Sequence, residues 1–232
     1  MKYRLLASSV AAVMMSAGAI SPVLAEGWYS SLSGGTADAD ISRGDLDAVY
    51  SGVLGSLAAA SGPGYSLNRL DSDLDTSDSS WGVDVGYQWG SHFAVEVGYV
   101  DLGEAQYDAN FVLTGGGPAL GGSVSTSFRT TGPTVGAVGI LPLGEKFEVH
   151  GRAGVLFSRI RITERLIDAG GVFASAKTGG NDKDLFAGVG GGWNINQNFS
   201  LRVDYRRFLD VGEADVTGER DVDQIALSIL FR

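Results

Sequence analysis

The sequence predicts an all-β protein, an eight-stranded antiparallel up-and-down transmembrane β-barrel with short periplasmic turns and long extracellular loops. Apolar and polar residues alternate with period two along much of the chain, which is typical of strands with two different faces. Three short turns are each followed at once by a phenylalanine, Phe93, Phe147 and Phe199. The connections between these hairpins are long, polar and rich in glycine, which is the layout of an outer-membrane barrel.

The strands can be placed one after another from these signals. Three hairpins surround the turns at 90–92, 143–146 and 196–198, and they supply six strands. A first strand at 27–35 and a last strand at 223–232 bring the count to eight. The remaining residues form long connections at about 36–79, 103–124, 164–184 and 211–221.

The first 25 residues have the pattern of a signal peptide. Lys2 and Arg4 precede an apolar run that is too short to span a bilayer comfortably, and Val23 and Ala25 suit signal peptidase. We expect cleavage after Ala25. Residues 26–232 would then form the barrel domain, with its long first loop at about 36–79, and the chain would be exported to the cell outer membrane.

Composition excludes several classes of function. The 232 residues include no cysteine and only two histidines, which argues against disulfides and thiolate zinc sites, and we expect no metal and no cofactor. A net charge of -10 argues against binding to nucleic acid, since a phosphate backbone is bound by clustered lysine and arginine. No later stretch is apolar for long enough to form a transmembrane helix.

Aromatic residues on the apolar parity fall into two bands. One band lies beside the short turns and the other lies further along the strands, which is the arrangement that the two membrane interfaces select. A soluble core would spread such residues through its depth. The predicted lipid-facing girdles contain Trp89, Phe93, Tyr99, Phe147, Phe157, Trp193, Phe199, Tyr205 and Phe231.

Charged residues occupy the opposite parity, which would face the barrel lumen. Counting from each turn places Glu96, His150 and Arg202 at one depth, and Arg152, Asp204 and Asp84 two residues further on. An eight-stranded barrel is just wide enough for side chains to fill it, so these charges must pair. We expect a polar plug, with Gly188, Gly190 and Gly192 leaving room for long arginine side chains. In a soluble protein the same residues would be solvated surface.

Two features of the long connections attract interest. Ser42 to Ala60 carries apolar residues at helical spacing, with Ser42 as N-cap, and predicts a short helix packed on the barrel rim. Asp71, Asp73, Asp75 and Asp78 form an acidic loop without the spacing of a calcium-binding loop. Arg159, Arg161 and Arg207 are expected near the outer rim, where cations could meet lipid phosphates.

The stretch from Trp81 to Gly103, WGVDVGYQWGSHFAVEVGYVDLG, closely resembles the OmpA-type and opacity-type eight-stranded outer-membrane barrels. The resemblance implies outer-membrane lipids and lipopolysaccharide as surroundings, and insertion by the outer-membrane assembly machinery. That machinery typically recognises a last strand ending in phenylalanine. Here Phe231 is penultimate and Arg232 follows it, so the signal is displaced.

Taken together, the sequence predicts a non-enzymatic outer-membrane protein with a structural or surface-interaction role, most simply a monomer whose loops contact an extracellular ligand. His150 is the one candidate base, and the predicted register places no serine beside it. Two alternatives stay open. The lumen charges could gate a narrow channel, or the chain could be a soluble secreted carrier of lipocalin type.

Overall fold

The computed structural model describes residues 26–168, 171–213 and 218–232, so the expected signal peptide lies outside the described residues. In this part of the chain the elements are β1 (Gly27–Ala39), α1 (Arg43–Ser61), β2 (Ser66–Asp75), β3 (Ser77–Trp89), β4 (Phe93–Thr114), β5 (Leu120–Leu143), β6 (Phe147–Asp168), β7 (Gly171–Asn194), β8 (Phe199–Val211) and β9 (Arg220–Phe231). Within these described ranges, no helix is long and apolar enough to cross a membrane.

Eight of these strands close into an antiparallel barrel. Each of β3 to β8 pairs with the strand that follows it, β1 pairs with β3 on one side, and the pairing of β1 with β9 closes the ring. The predicted eight-stranded barrel and its three short turns are therefore confirmed. Closure leaves no unpaired barrel edge, which removes the main liability of an open sheet.

Two predicted loops are in fact strands. The connections expected at 103–124 and 164–184 are instead occupied largely by the continuations of β4 to β7, which run well past the barrel. The first connection, expected at 36–79, contains α1, β2 and the ends of β1 and β3. The glycine-rich composition of these segments led to the prediction of loops. Backbone hydrogen bonds between neighbouring strands nevertheless continue the ladders through them. The sequence did contain a signal, because apolar residues alternate at Tyr107, Ala109, Phe111 and Leu113.

A bulge in β4 separates the barrel wall from this extension. The ladder between β4 and β5 shifts between Asp101 and Glu104, and Gly103 adopts a positive φ of 79°. A Cβ at Gly103 would lie 2.7 Å from the Cβ of Asp78, so only glycine fits. Beyond the bulge the odd positions of β4 face inward, whereas the even positions do so below it.

The predicted loop helix is confirmed, and its N-cap is Ser42, whose Oγ accepts a hydrogen bond from the Asp45 amide at 3.4 Å. Tyr50, Leu54 and Ala58 pack against the inner face of the extension, on Tyr107, Ala109, Phe111, Leu113 and Val124. We call this assembly, formed by α1, β2 and the parts of β4 to β7 beyond the bulge, the head. Val49 and Val53, which the helical pattern included in the apolar stripe, are exposed.

Candidate functional site: a charged layer in the barrel lumen

Eight titratable side chains from four strands converge inside the barrel. Each of the eight is at most 7% exposed, so these polar and charged groups are shielded from water. Buried charges need partners, because removing an ion from water costs several kcal/mol. The members of this charged layer are Asp84, Glu96, Glu148, His150, Arg152, Arg202, Asp204 and Arg206.

Arg152 joins two walls of the barrel. Its Nη1 lies 3.1 Å from Oε2 of Glu96 on β4, and its Nη2 lies 2.9 Å from Oδ1 of Asp204 on β8. A planar guanidinium can donate to two carboxylates at once. Arg152 therefore bridges the lumen rather than a single pair of neighbouring strands.

Two glycines of β7 let side chains of β6 and β8 meet. Nε2 of His150 lies 2.7 Å from Oδ1 of Asp204, and these residues are the two neighbours of Gly190 in the ladders. Arg202 donates from Nε to Oε1 of Glu148 at 2.7 Å, across Gly192. A Cβ at Gly190 would lie 2.6 Å from Nε2 of His150, so the missing side chains of β7 make these contacts possible.

Side chains of β1 donate hydrogen bonds to two of the acids. The hydroxyl of Tyr29 donates to Oε1 of Glu96 at 2.7 Å, and Ser31 donates to Oδ2 of Asp84 at 3.2 Å. Nη2 of Arg206 lies 3.8 Å from the same carboxylate oxygen of Asp84. The guanidinium of Arg202 also lies 5.9 Å from the ring centre of Tyr29.

The predicted charge-network residues, Asp84, Glu96, His150, Arg152, Arg202 and Asp204, all lie in this layer, but their grouping by depth differs from the prediction. Phe147 pairs with Trp193, and Trp193 pairs with Leu201 rather than with Phe199. This offset of two residues is part of the stagger that closes a barrel. It places Arg202 beside Glu148 and Asp204 beside His150.

Sequence reasoning missed three members of the site, Glu148, Arg206 and Tyr29. The alternation contained the signal for all three, because Glu148 shares the parity of His150, and Arg206 shares that of Asp204. Tyr29 shares inward parity with Ser31 in the first strand. All three would have been found by following the inward-facing positions to both ends of each strand.

Apolar layers lie above and below the charges. At the short-turn end Ala94, Val138, Ile140 and Leu230 form a buried cluster with Tyr29. Toward the long loops a larger cluster fills the lumen, and its ring pair Phe186 and Phe208 lies 5.4 Å apart between centres. The larger cluster also contains Ala37, Val100, Leu102, Leu156, Ile160, Ile162, Val211 and Val222.

The chemistry available to the layer is electrostatic. In the described part of the chain, the hydrogen-bond partner of His150 is the carboxylate of Asp204, and no hydroxyl lies within reach of its ring as a nucleophile. No group of three or more histidines and acids suited to a metal ion occurs among residues 26–168, 171–213 and 218–232. The arrangement can cross-link the walls and fill the lumen.

The predicted girdle residues all lie on the outer wall. Trp89, Phe93, Phe147, Trp193 and Phe231 are exposed beside the short turns, with Phe199 half-buried against Phe231. Tyr99, Phe157 and Tyr205 are exposed higher on the wall. Trp28 and Trp81 belong to the same outer face; Trp28 meets Tyr87 edge-on, and Trp81 lies at a tilt to Tyr99.

The soluble alternative conflicts with this geometry. Val97, Val189, Val203 and Leu185 are each more than half exposed on the outside of the barrel, while Glu96 and Arg202 are buried inside. A soluble carrier would place its apolar parity in the interior. An outer face of this composition suits hydrocarbon.

Comparison with solved structures finds outer-membrane barrels. Ail, the attachment invasion locus protein of Yersinia pestis, solved with the heparin analogue sucrose octasulfate, is 15% identical, with 88% of this chain and 98% of Ail covered at a TM-score of 0.42. Neisserial surface protein A is 12% identical, with 88% and 96% covered and a TM-score of 0.45. The outer-membrane protease OmpT of Escherichia coli is 10% identical, with 88% and 95% covered and a TM-score of 0.41.

The search of curated proteins gave no match. The family model of the OmpA-like transmembrane domain matches residues 45–232, which include seven of the eight barrel strands. The chain therefore belongs to the OmpA-like transmembrane domain family, a family of bacterial outer-membrane barrels.

Proposed function

We propose that this protein is a non-enzymatic surface protein of the outer membrane, in which a plugged barrel anchors the head outside the cell for contact with an extracellular ligand. The observation that carries the proposal is the filling of the lumen. A layer of paired charges, each residue of which is at most 7% exposed, lies between two buried apolar clusters.

The head supports the surface-interaction part of the proposal. Its helix is fixed to the inner face of the extended strands by apolar packing and by Tyr50, whose hydroxyl lies 2.5 Å from Oγ1 of Thr126 and 3.0 Å from Oε1 of Glu164. Ordered backbone outside the membrane costs conformational entropy. Display of a binding surface is a reason for the protein to retain this ordered segment.

Planar-bilayer recording tests the plug. We expect the purified protein to insert without conductance steps, and we expect Phe186→Ala combined with Phe208→Ala to remain closed unless Arg202→Ala is added. Slower gel migration after boiling provides the control that each sample was folded. Discrete steps in the wild type that Arg202→Ala abolishes or enlarges would overturn the proposal in favour of the gated channel.

Export of the chain and its insertion into the membrane are part of the same proposal. Residues 1–25 act as a cleaved export signal, and the assembly machinery inserts residues 26–232 as a monomer among outer-membrane lipids and lipopolysaccharide. N-terminal sequencing of the protein from outer membranes checks the cleavage, with Glu26 expected first. Light scattering in detergent checks the monomer.

A further inference from the structure

The outer face of β6 and β7 carries a run of cations directly above the outer aromatic girdle. Arg159, Arg161 and Arg165 on β6, together with Lys177 and Lys183 on β7, share the outward parity and are exposed. We call these five residues the basic ladder. The chain as a whole carries 27 acids against 17 lysines and arginines, so the ladder does not reflect average composition.

Acidic residues are absent from the outward strand positions of this face. The outward positions of β6 from Phe157 to Arg165, and those of β7 from Ser175 to Leu185, contain no aspartate or glutamate. Across the described residues, no carboxylate lies within ion-pair distance of the basic ladder; Arg159 instead donates from Nε to Oδ1 of Asn181 at 3.3 Å.

The opposite wall is built differently at a comparable height. There Arg207 on β8 lies 2.6 Å from Oδ2 of Asp221 and 3.4 Å from Oδ2 of Asp223, both on β9. Its charge is thus balanced within the protein. The contrast shows that the excess of cations belongs to one side of the barrel.

Two cations lie opposite each other, an arrangement that lowers the stability of the sheet. Arg161 and Arg129 are direct cross-strand partners, and like charges opposite each other destabilise a sheet. Arg129 has a partner, since its Nη2 lies 2.5 Å from Oδ2 of Asp101. Arg161 has no such partner among the described residues. An external anion would satisfy it.

A depression of about 620 Å³ opens at the foot of the ladder. Arg159 and Lys183 line it beside the rings of Tyr99 and Phe157, and Asn181 and Asp182 line it as well. It lies beside a gap in the ladder between β5 and β6, where Gly132 and Pro133 have no partner on β6, although both pair with β4. Proline has no amide proton to donate, so the wall is weakened at this point.

We infer that the basic ladder binds the phosphate groups of an anionic glycolipid in the outer leaflet, with part of the lipid seated in the depression against Tyr99 and Phe157. The location favours a lipid over a soluble polyanion. Arg159 follows Phe157 by a single pleat, and Lys183 precedes the exposed Leu185 by the same step. The cations thus begin where hydrocarbon ends, at the level of the headgroups.

Native mass spectrometry of the detergent-purified protein tests this inference, which is independent of whether the lumen conducts. The probes are bisphosphorylated lipid A and the same lipid after removal of its phosphates. The test variant is Arg159→Ser/Arg161→Ser/Lys183→Ser. The matched control, Arg43→Ser/Arg69→Ser/Lys146→Ser, removes the same charge from exposed positions elsewhere.

We expect the wild type and the control to bind bisphosphorylated lipid A alike, and the test variant to bind it about 100-fold more weakly, as the loss of three cations near an anionic surface predicts. The wild type should bind the dephosphorylated lipid as weakly as the test variant does. Equal binding by all three proteins, or indifference to the phosphates, would overturn the inference.

Two further measurements complete the design. A heparin oligosaccharide is offered in water; if the ladder binds it while showing no phosphate-dependent binding of lipid A, the lipid assignment is wrong. Folding of each variant is checked by gel migration before and after boiling. If the test variant does not fold, the salt dependence of the wild type tests the inference instead. Binding of bisphosphorylated lipid A by the wild type must weaken as the salt concentration rises.

Discussion

Arg202 and Glu148 meet across Gly192, with Nε of the guanidinium 2.7 Å from Oε1 of the carboxylate and both residues at most 2% exposed. Neither charge has access to water, so each depends on the other for compensation. Glu96 supports the pair from β4, where its Oε1 lies 3.8 Å from Nη1 of Arg202.

Removal of one partner should therefore cost more than removal of both. We expect Arg202→Met to lower the free energy of unfolding by about 3 to 5 kcal/mol, because it leaves a buried carboxylate uncompensated. Arg202→Met combined with Glu148→Leu should recover a large part of this loss. Urea unfolding in phosphatidylcholine vesicles, followed by tryptophan fluorescence, measures both. Exposed Lys146→Met is the control, and a single-variant loss no larger than that of the control would contradict the prediction.

The glycines of β7 provide a second test within one strand. In Gly190→Ala the new Cβ would lie 2.5 Å from the backbone oxygen of Val203 and 2.6 Å from Nε2 of His150, whereas in Gly191→Ala it would meet only a backbone oxygen at 3.8 Å. We expect Gly190→Ala to lower the free energy of unfolding by about 1 to 3 kcal/mol, as overpacking does. Gly191→Ala should be nearly neutral by the same urea measurement. Equal effects would show that the His150 contact does not need the missing side chain.

The attachment of α1 can be separated from the stability of the barrel. Leu54 is 1% exposed and Val53 is 54% exposed, so the two neighbours differ mainly in packing. We expect Leu54→Ala to weaken the docking of the helix by about 2 to 5 kcal/mol. Hydrogen exchange should show faster exchange at 43–61 with little change in the barrel strands. Val53→Ala should leave exchange unaltered, and protection lost equally in both variants would contradict the assignment of faces.

Alkaline pH should release the same helix. Burial raises the pKa of Tyr50 to about 12, and burial together with the hydrogen bond to Asp47 raises the pKa of Tyr107. A raised pKa in the folded state gives stability that is fully present below the unfolded value of 10.0 and is lost as pH rises toward about 12.

A spin label measures this release. The chain has no cysteine, so Ser56→Cys gives a unique attachment point on the exposed side of α1. We expect the label to become mobile as pH rises through that window. Tyr50→Phe/Tyr107→Phe cannot ionise at either ring and should stay docked over the same range. Identical transitions in the two proteins would mean that other groups control the helix.

Local pattern accounts for much of the fold and for the composition of the site. Period-two alternation identifies which side chains share a face, because successive residues of a strand point to opposite sides regardless of its neighbours. This is why Glu96, Arg152 and Arg202 could be assigned to the lumen and Phe147 and Trp193 to the outer wall. Ser42 with the following apolar spacing was likewise enough for α1.

Pairing between distant strands was less predictable. The bulge at Asp101 to Glu104 reverses the inward parity of β4, and it brings Gly103 close to Asp78, an approach that no local pattern encodes. The continuation of β6 and β7 beyond the girdle depends on each strand supplying hydrogen bonds to the other. The basic ladder follows from this continuation, because it aligns Arg159 and Arg161 with Lys183 and Lys177 on one outer face.

The sequence by itself determined the number of barrel strands, the short turns, the loop helix and the division of residues between lumen and lipid, since each rests on spacing within one segment. The tertiary structure decided which charges meet. The stagger of β8 against β6 sets Arg202 beside Glu148 and Asp204 beside His150, and stagger is a property of the closed barrel as a whole. Closure also brought together the two apolar clusters that flank the charges, because their members come from strands far apart in the chain.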